Sequence, residues 1–132
     1  MAEWLYYAKM KPHAAAERVA DLLRAGDERG LKLAAPFAAP ADAADMNEAD
    51  AELLLGSLVK LNAFRWIVVD LEAGWSLRSI GALSASDAIF WVVTDDSACL
   101  GKTEALLRRW TEEASPHMCG SALLLLPASM SA

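Results

Sequence analysis

The sequence predicts an α/β domain of three layers, with a mainly parallel sheet of about four to five strands between flanking helices. Three observations predict it. Strand-like and helix-like segments alternate along 132 residues, a length that suits a single domain over positions 1–132. Two apolar runs, "RWIVVDL" (65–71) and "AIFWVV" (88–93), lack the polar alternation of a half-exposed strand. Such continuity suits strands covered on both faces. Apolar residues make up 55% of the chain and charged residues 23%, the balance of a chain that buries a core.

The elements follow in order. "EWLYYAKM" (3–10) opens the chain, and its pattern leaves a short strand and an unanchored lead-in both open. Pro12 suits a first helical turn, Ala15, Val19, Leu22 and Leu23 follow at helical spacing, and Gly26 is a natural C-terminal stop. "GLKLAAPF" (30–37) reads as a strand ending at Pro36, and "AAPADAADMN" as an exposed loop. Asn47 can cap a helix through about Leu61, with Leu54, Leu58 and Leu61 as its apolar stripe. The 65–71 strand comes next, with Trp66, Ile67 and Val69 expected in the core and Asp70 at its C-terminal edge. "SLRSIGALSAS" is a short helix capped by Ser76, and "DAIFWVVT" a second buried strand holding Ile89, Trp91 and Val93. "SACLGKTEALLRRWTEEA" is helical, with Thr103, Leu106, Leu107 and Trp110 on one side, and "SALLLLP" is a last strand.

Charge and composition narrow the function classes. A net charge of −6 argues against a broad nucleic-acid or anionic-membrane surface. Glu3 interrupts the start and no apolar run of signal-peptide type follows, while "ALLLLP" is too short to span a bilayer. The expectation is a cytoplasmic protein without stable membrane insertion. Cys99 and Cys119 lack metal-ligand spacing and read as reduced, structural thiols. His13 and His117 are far apart in sequence, and no Ser or Cys sits in a nucleophile-elbow context. Glu112 and Glu113 follow Arg108 and Arg109 at the spacing of exposed helix ion pairs.

One stretch, "TDDSACLGKTEALLRRW" (94–110), invites a phosphate-loop reading, because Gly101-Lys102-Thr103 lies between a strand and a helix. In that reading Lys102 reaches phosphates and Thr103 holds magnesium. The residue five positions before Gly101 is Asp96, where the pattern wants glycine. Together with Asp95 it places two negative charges where an anion would sit. The favoured reading is a surface helix whose first turn holds this segment, capped by Asp95, Asp96 or Ser97.

The order of segments from Gly30 to Trp110 resembles the latter part of a MinD/ParA-type P-loop ATPase domain, nearest the CpaE/TadZ branch of pilus assembly and localisation. "FRWIVVDLEAG", "SASDAIFWVVTDD" and "GKTEALLRRW" fill the slots of that family's aspartate-ending strand, its next strand and its long helix. "ERVADLLRAGD" (17–27) looks like the segment before its first proline loop. By that resemblance Asp70 matches the aspartate that helps bind magnesium and orient the attacking water. Gly74 matches the glycine that senses the terminal phosphate.

Two departures alter what the resemblance implies. Glu72 and Ala73 stand in place of the family's switch prolines, and the "KGGxGKT" Walker A segment is absent from the sequence. Without its amides and lysines, phosphoryl transfer lacks its main electrostatic support. The resemblance therefore implies a non-catalytic interaction or localisation module, without a cofactor of its own. The alternative is the C-terminal part of an ATPase whose P-loop comes from upstream sequence or a partner chain, with Mg-ATP as cofactor. Trp75 and Trp110 are the expected protein-binding anchors, because interfaces favour tryptophan. The expected assembly is a homodimer.

Overall fold

The computed structural model describes residues 1–34, 36–72, 74–94, 96–113 and 122–127. Helices and strands are both present, as expected for a mixed α/β chain. The chain divides into two compact units, Met1–Ala85 and Ser86–Ala132.

The first unit is mostly helical. "EWLYYAKM" is neither strand nor lead-in but part of helix α1 (Ala2–Met10). Trp4, Leu5 and Ala8 fall on one helical face and are buried. Pro12 opens α2 (Pro12–Glu17) as its first-turn residue. The expected single helix to Gly26 breaks at Arg18 and continues as a 3₁₀ turn, Val19–Leu22. A small antiparallel hairpin follows, β1 (Leu23–Ala25) paired with β2 (Lys32–Ala34). Gly26 begins its turn rather than stopping a helix, and the Asp27 carboxylate accepts from the N–H groups of Arg29 and Leu31, each at 3.0 Å. The 30–37 strand thus shrinks to three exposed residues.

Pro40 starts a short helix, α3 (Pro40–Ala44), inside the expected loop. α4 (Glu48–Lys60) starts where Asn47 predicts. The Asn47 side chain accepts from the Asp50 N–H at 2.9 Å, and the Asp50 carboxylate accepts from the Asn47 N–H at 3.0 Å. This reciprocal capping box satisfies two donors that a helix start leaves open. α5 (Leu77–Ser84) is capped by Ser76, whose Oγ accepts from the Ser79 N–H at 3.3 Å. α5 packs on α4 with Gly81 at the contact, where an added Cβ would lie 2.3 Å from the Glu48 carbonyl oxygen.

The core of this unit gathers Trp4, Leu5, Ala8, Ala15, Val19, Leu22, Met46, Ala51 and Leu58. Each fully buried aliphatic or aromatic side chain there contributes about 1.5–3 kcal/mol of transfer free energy. Leu58 of the expected stripe is buried, and Leu54 packs partly against the cluster. Leu61 is exposed.

Residues 65–71 depart from expectation. They form no strand, and from Trp66 the chain runs without a turn or bend through Glu72. Ile67 and Val69 are exposed instead of buried, and Trp66 and Val68 are 77% and 90% exposed. Continuous apolar sequence makes a buried strand only when neighbours supply a hydrogen-bond ladder and cover both faces. Among the described residues nothing pairs with this backbone.

In the second unit, β3 (Ala88–Val93) pairs in parallel with β4 (Ala122–Pro127), in the register Ala88↔Ala122 to Val93↔Pro127. α6 (Ser97–Glu113) supplies helix between them. β3 is covered on one face only. Ile89 is buried and Trp91 and Val93 are half-buried, while Phe90 and Val92 are exposed. Among the described residues the sheets are two separate pairs, one antiparallel and one parallel, in place of one mainly parallel sheet.

Candidate functional site

The residues singled out by the sequence fall into both units, and each group is described within its own. In the first unit, Asp70 and Gly74 lie on the irregular segment between α4 and α5. Asp70 is exposed and makes no hydrogen bond or ion pair with the described residues, so it stands as a solvated carboxylate. It is not at the edge of a strand, because residues 65–71 have no ladder to define one. Gly74 is exposed with open space where a Cβ would project.

Beyond Gly74 the chain is tied down. The Arg78 guanidinium donates to the Glu72 carboxylate and to the Ala43 carbonyl, both at 2.6 Å. It thereby joins the end of the 65–72 segment to the end of α3. This clamp was not anticipated from sequence, because its partners are 6 and 35 residues away from Arg78 and no local pattern links them. Trp75 is half-buried, and its indole Nε1 is enclosed without a hydrogen-bond partner among the described residues. The side chain of Trp110 and the residues His117 and Cys119 lie outside those described.

The second unit answers the phosphate-loop question. Asp96 precedes α6, and its carboxylate accepts from the Cys99 N–H at 2.8 Å, the geometry of an N-cap. The Thr94 hydroxyl donates to the same carboxylate. These two bonds, Thr94 first and the Cys99 N–H second, hold the Asp96 carboxyl below the ordinary carboxylate range. The Leu100 N–H donates to the Asp96 carbonyl at 3.1 Å, so the helical ladder is closed before Gly101. Gly101, Lys102 and Thr103 are interior residues of α6. Their amides point along the helix instead of around an anion, and Thr103 is buried. These residues do not fit the phosphates of Mg-ATP.

Cys99 is a free, half-buried thiol. Its Sγ accepts from the Thr94 N–H at 3.4 Å. Thr94, through its hydroxyl and its N–H, lowers the thiol from its ordinary value. On the outer side of α6, Gly101, Glu104, Ala105, Arg108, Arg109 and Glu112 border an open depression. Arg108 pairs there with Glu104 at 3.1 Å, an acid one turn before it, whereas the expected partners were Glu112 and Glu113, and the side chain of Glu113 lies outside those described.

Among the described residues no group of three or more His, Cys, Asp or Glu gathers to hold a metal ion, and no helix is long and apolar enough to cross a membrane. Compared with family models, with curated proteins and with solved structures, the chain matches none.

Proposed function

We propose that this chain is a non-catalytic interaction or localisation module of MinD/ParA-like, CpaE/TadZ-like type, serving a pilus or secretion assembly in the cytoplasm. The observation that carries the reading is the display of residues 65–71. An apolar segment that could enter a sheet is held at the surface with its backbone free, between helices that are firmly capped at Asn47 and Ser76. A chain that spends its most strand-like sequence on the surface is suited to protein binding. Residues 65–71 become a strand in this reading once a neighbour is supplied. Sequestration of Gly101, Lys102 and Thr103 inside α6 supports the absence of catalysis by this chain alone.

One observation favours the second reading, the C-terminal part of an ATPase completed by a P-loop from elsewhere. Asp70 is solvated and Gly74 has open space beside it, as a magnesium-side carboxylate and a phosphate-sensing amide would require. Calorimetric titration with magnesium-ATP separates the readings. Negligible binding is expected for this chain. Micromolar binding abolished by Asp70→Ala would favour the ATPase, and binding abolished by Lys102→Ala would overturn the account of α6.

A further inference from the structure

We infer that residues 65–71 are a self-docking strand, which pairs antiparallel with the same segment of a second copy about a two-fold axis through Ile67. The inference deepens the interaction-module reading and rests on it, by naming the partner and the surface.

The backbone comes first. No backbone hydrogen bond joins residues 63–72 to any described residue, and the path from Trp66 to Glu72 has no turn or bend. A row of free N–H and C=O groups of this kind is a template for another strand. The side chains add an apolar strip: Trp66 and Val68 stand almost fully in solvent, and Ile67 and Val69 are exposed as well.

Charge selects the partner's direction. The strip is uncharged from Trp66 to Val69 and bounded by Arg65 on one side and Asp70 on the other. A parallel in-register pair would set Arg65 against Arg65 and Asp70 against Asp70, which is destabilising. The antiparallel pair removes both like-charge contacts, since the basic end of one strand then runs toward the acidic end of the other and neither charge faces its own copy.

Symmetry and exposure select the register. A two-fold axis normal to an antiparallel pair requires a residue that faces its own copy. With Ile67 there, Trp66 lies opposite Val68 of the second copy and Val68 opposite Trp66 of the second copy. The two most exposed side chains then cover each other as aromatic and β-branched cross-strand pairs, which are favourable. Centring on Val68 would instead set Trp66 against Asp70.

The area sets the strength. On the scale of about 150–250 Å² for a buried aromatic, the exposed strip leaves roughly 500 Å² open on each copy. Two copies joined along it remove at most about 1,000 Å², the threshold for a specific interface, so the dimer is of the weak class. A second copy supplies this surface without any further partner.

Light scattering of the full chain at micromolar concentration should give twice the 14.2 kDa of one chain. Val68→Lys and Trp66→Ser should each weaken the dimer about tenfold or more and leave the helical circular dichroism unchanged, because both side chains are exposed. Ile67→Cys, in a chain also carrying Cys99→Ser and Cys119→Ser, should form a disulfide-linked dimer under mild oxidation. A monomer at these concentrations would overturn the inference, even if it captured some other extended peptide. A dimer that survives Val68→Lys, or that does not cross-link at position 67, would overturn this surface. None of these outcomes depends on magnesium-ATP binding, so failure here is distinct from failure of the functional reading.

Discussion

Lys9 and Asp50 lie 41 residues apart in sequence, and their side chains meet at 3.0 Å. The Asp50 carboxylate that Lys9 reaches is the one that closes the capping box of α4. One side chain thus starts a helix and ties it to α1. Asp50→Ala should destabilise the chain by about 1–3 kcal/mol, through the lost cap and the lost partner of a mostly buried carboxylate. Lys9→Met should cost less than about 1 kcal/mol, because the lysine is exposed enough for its ion pair to be screened and Asp50 keeps the Asn47 N–H as a partner. Urea denaturation of the two variants checks the order. Equal losses would show that the ion pair, not the cap, dominates.

Gly81 should tolerate no side chain. A Cβ there would meet the Glu48 carbonyl oxygen at 2.3 Å, and that oxygen belongs to the first turn of α4, which is fixed by its cap. In an exposed helix interior Gly→Ala stabilises by up to about 1 kcal/mol. Here the backbone clash reverses the sign, and Gly81→Ala should cost about 1–3 kcal/mol. A shift of the denaturation midpoint to higher urea would show that α4 and α5 can separate without loss.

What was legible in the sequence was local. Asn47 and Ser76 cap the helices they were expected to cap, because the capping side chain and its amide are three residues apart. Asp96 takes the same role at α6, which settles the reading of Gly101-Lys102-Thr103. The residues 3–10 carried a helical signal too, since Trp4, Leu5 and Ala8 share a face, but so short a segment also admits a strand. The illegible parts depend on distant partners. Whether Trp66 to Val69 become a core strand is decided by who pairs with them, and a run of apolar residues does not encode that neighbour. The placement of Asp70 failed with its strand. Phe90 and Val92 were misjudged for a related reason, since continuity in β3 implied two covered faces where one is open.

Trp4 should be a sensitive reporter of the first unit. Its side chain is buried in the core, and its indole Nε1 donates to the Ala15 carbonyl at 2.8 Å, linking α1 to α2. Trp4→Phe keeps much of the apolar volume but removes that donor from a buried carbonyl. It should cost about 1–3 kcal/mol. Trp4→Ala adds a cavity and should cost about 3–5 kcal/mol. Similar losses for the two would show that packing matters little beyond the hydrogen bond.

Asp96 makes α6 sensitive to acid. Its carboxyl is held below the ordinary carboxylate value first by the Thr94 hydroxyl and then by the Cys99 N–H, both of which bond the charged form. A group whose pKa is lower folded than unfolded stabilises the fold above its unfolded value, about 4. That contribution is lost as pH falls through the lowered folded value, where the carboxyl takes up a proton and the cap becomes neutral. The stability of the chain should therefore be insensitive to Asp96 between about pH 5 and 7 and should decline below about pH 4. Asp96→Asn keeps a side-chain oxygen to cap the Cys99 N–H and has no proton to gain. Denaturation curves of the two chains should converge as the pH is lowered, with the wild type more stable at neutral pH. A difference between them that stays constant from neutral pH into acid would show that the charge at Asp96 contributes nothing and that its cap works through geometry alone.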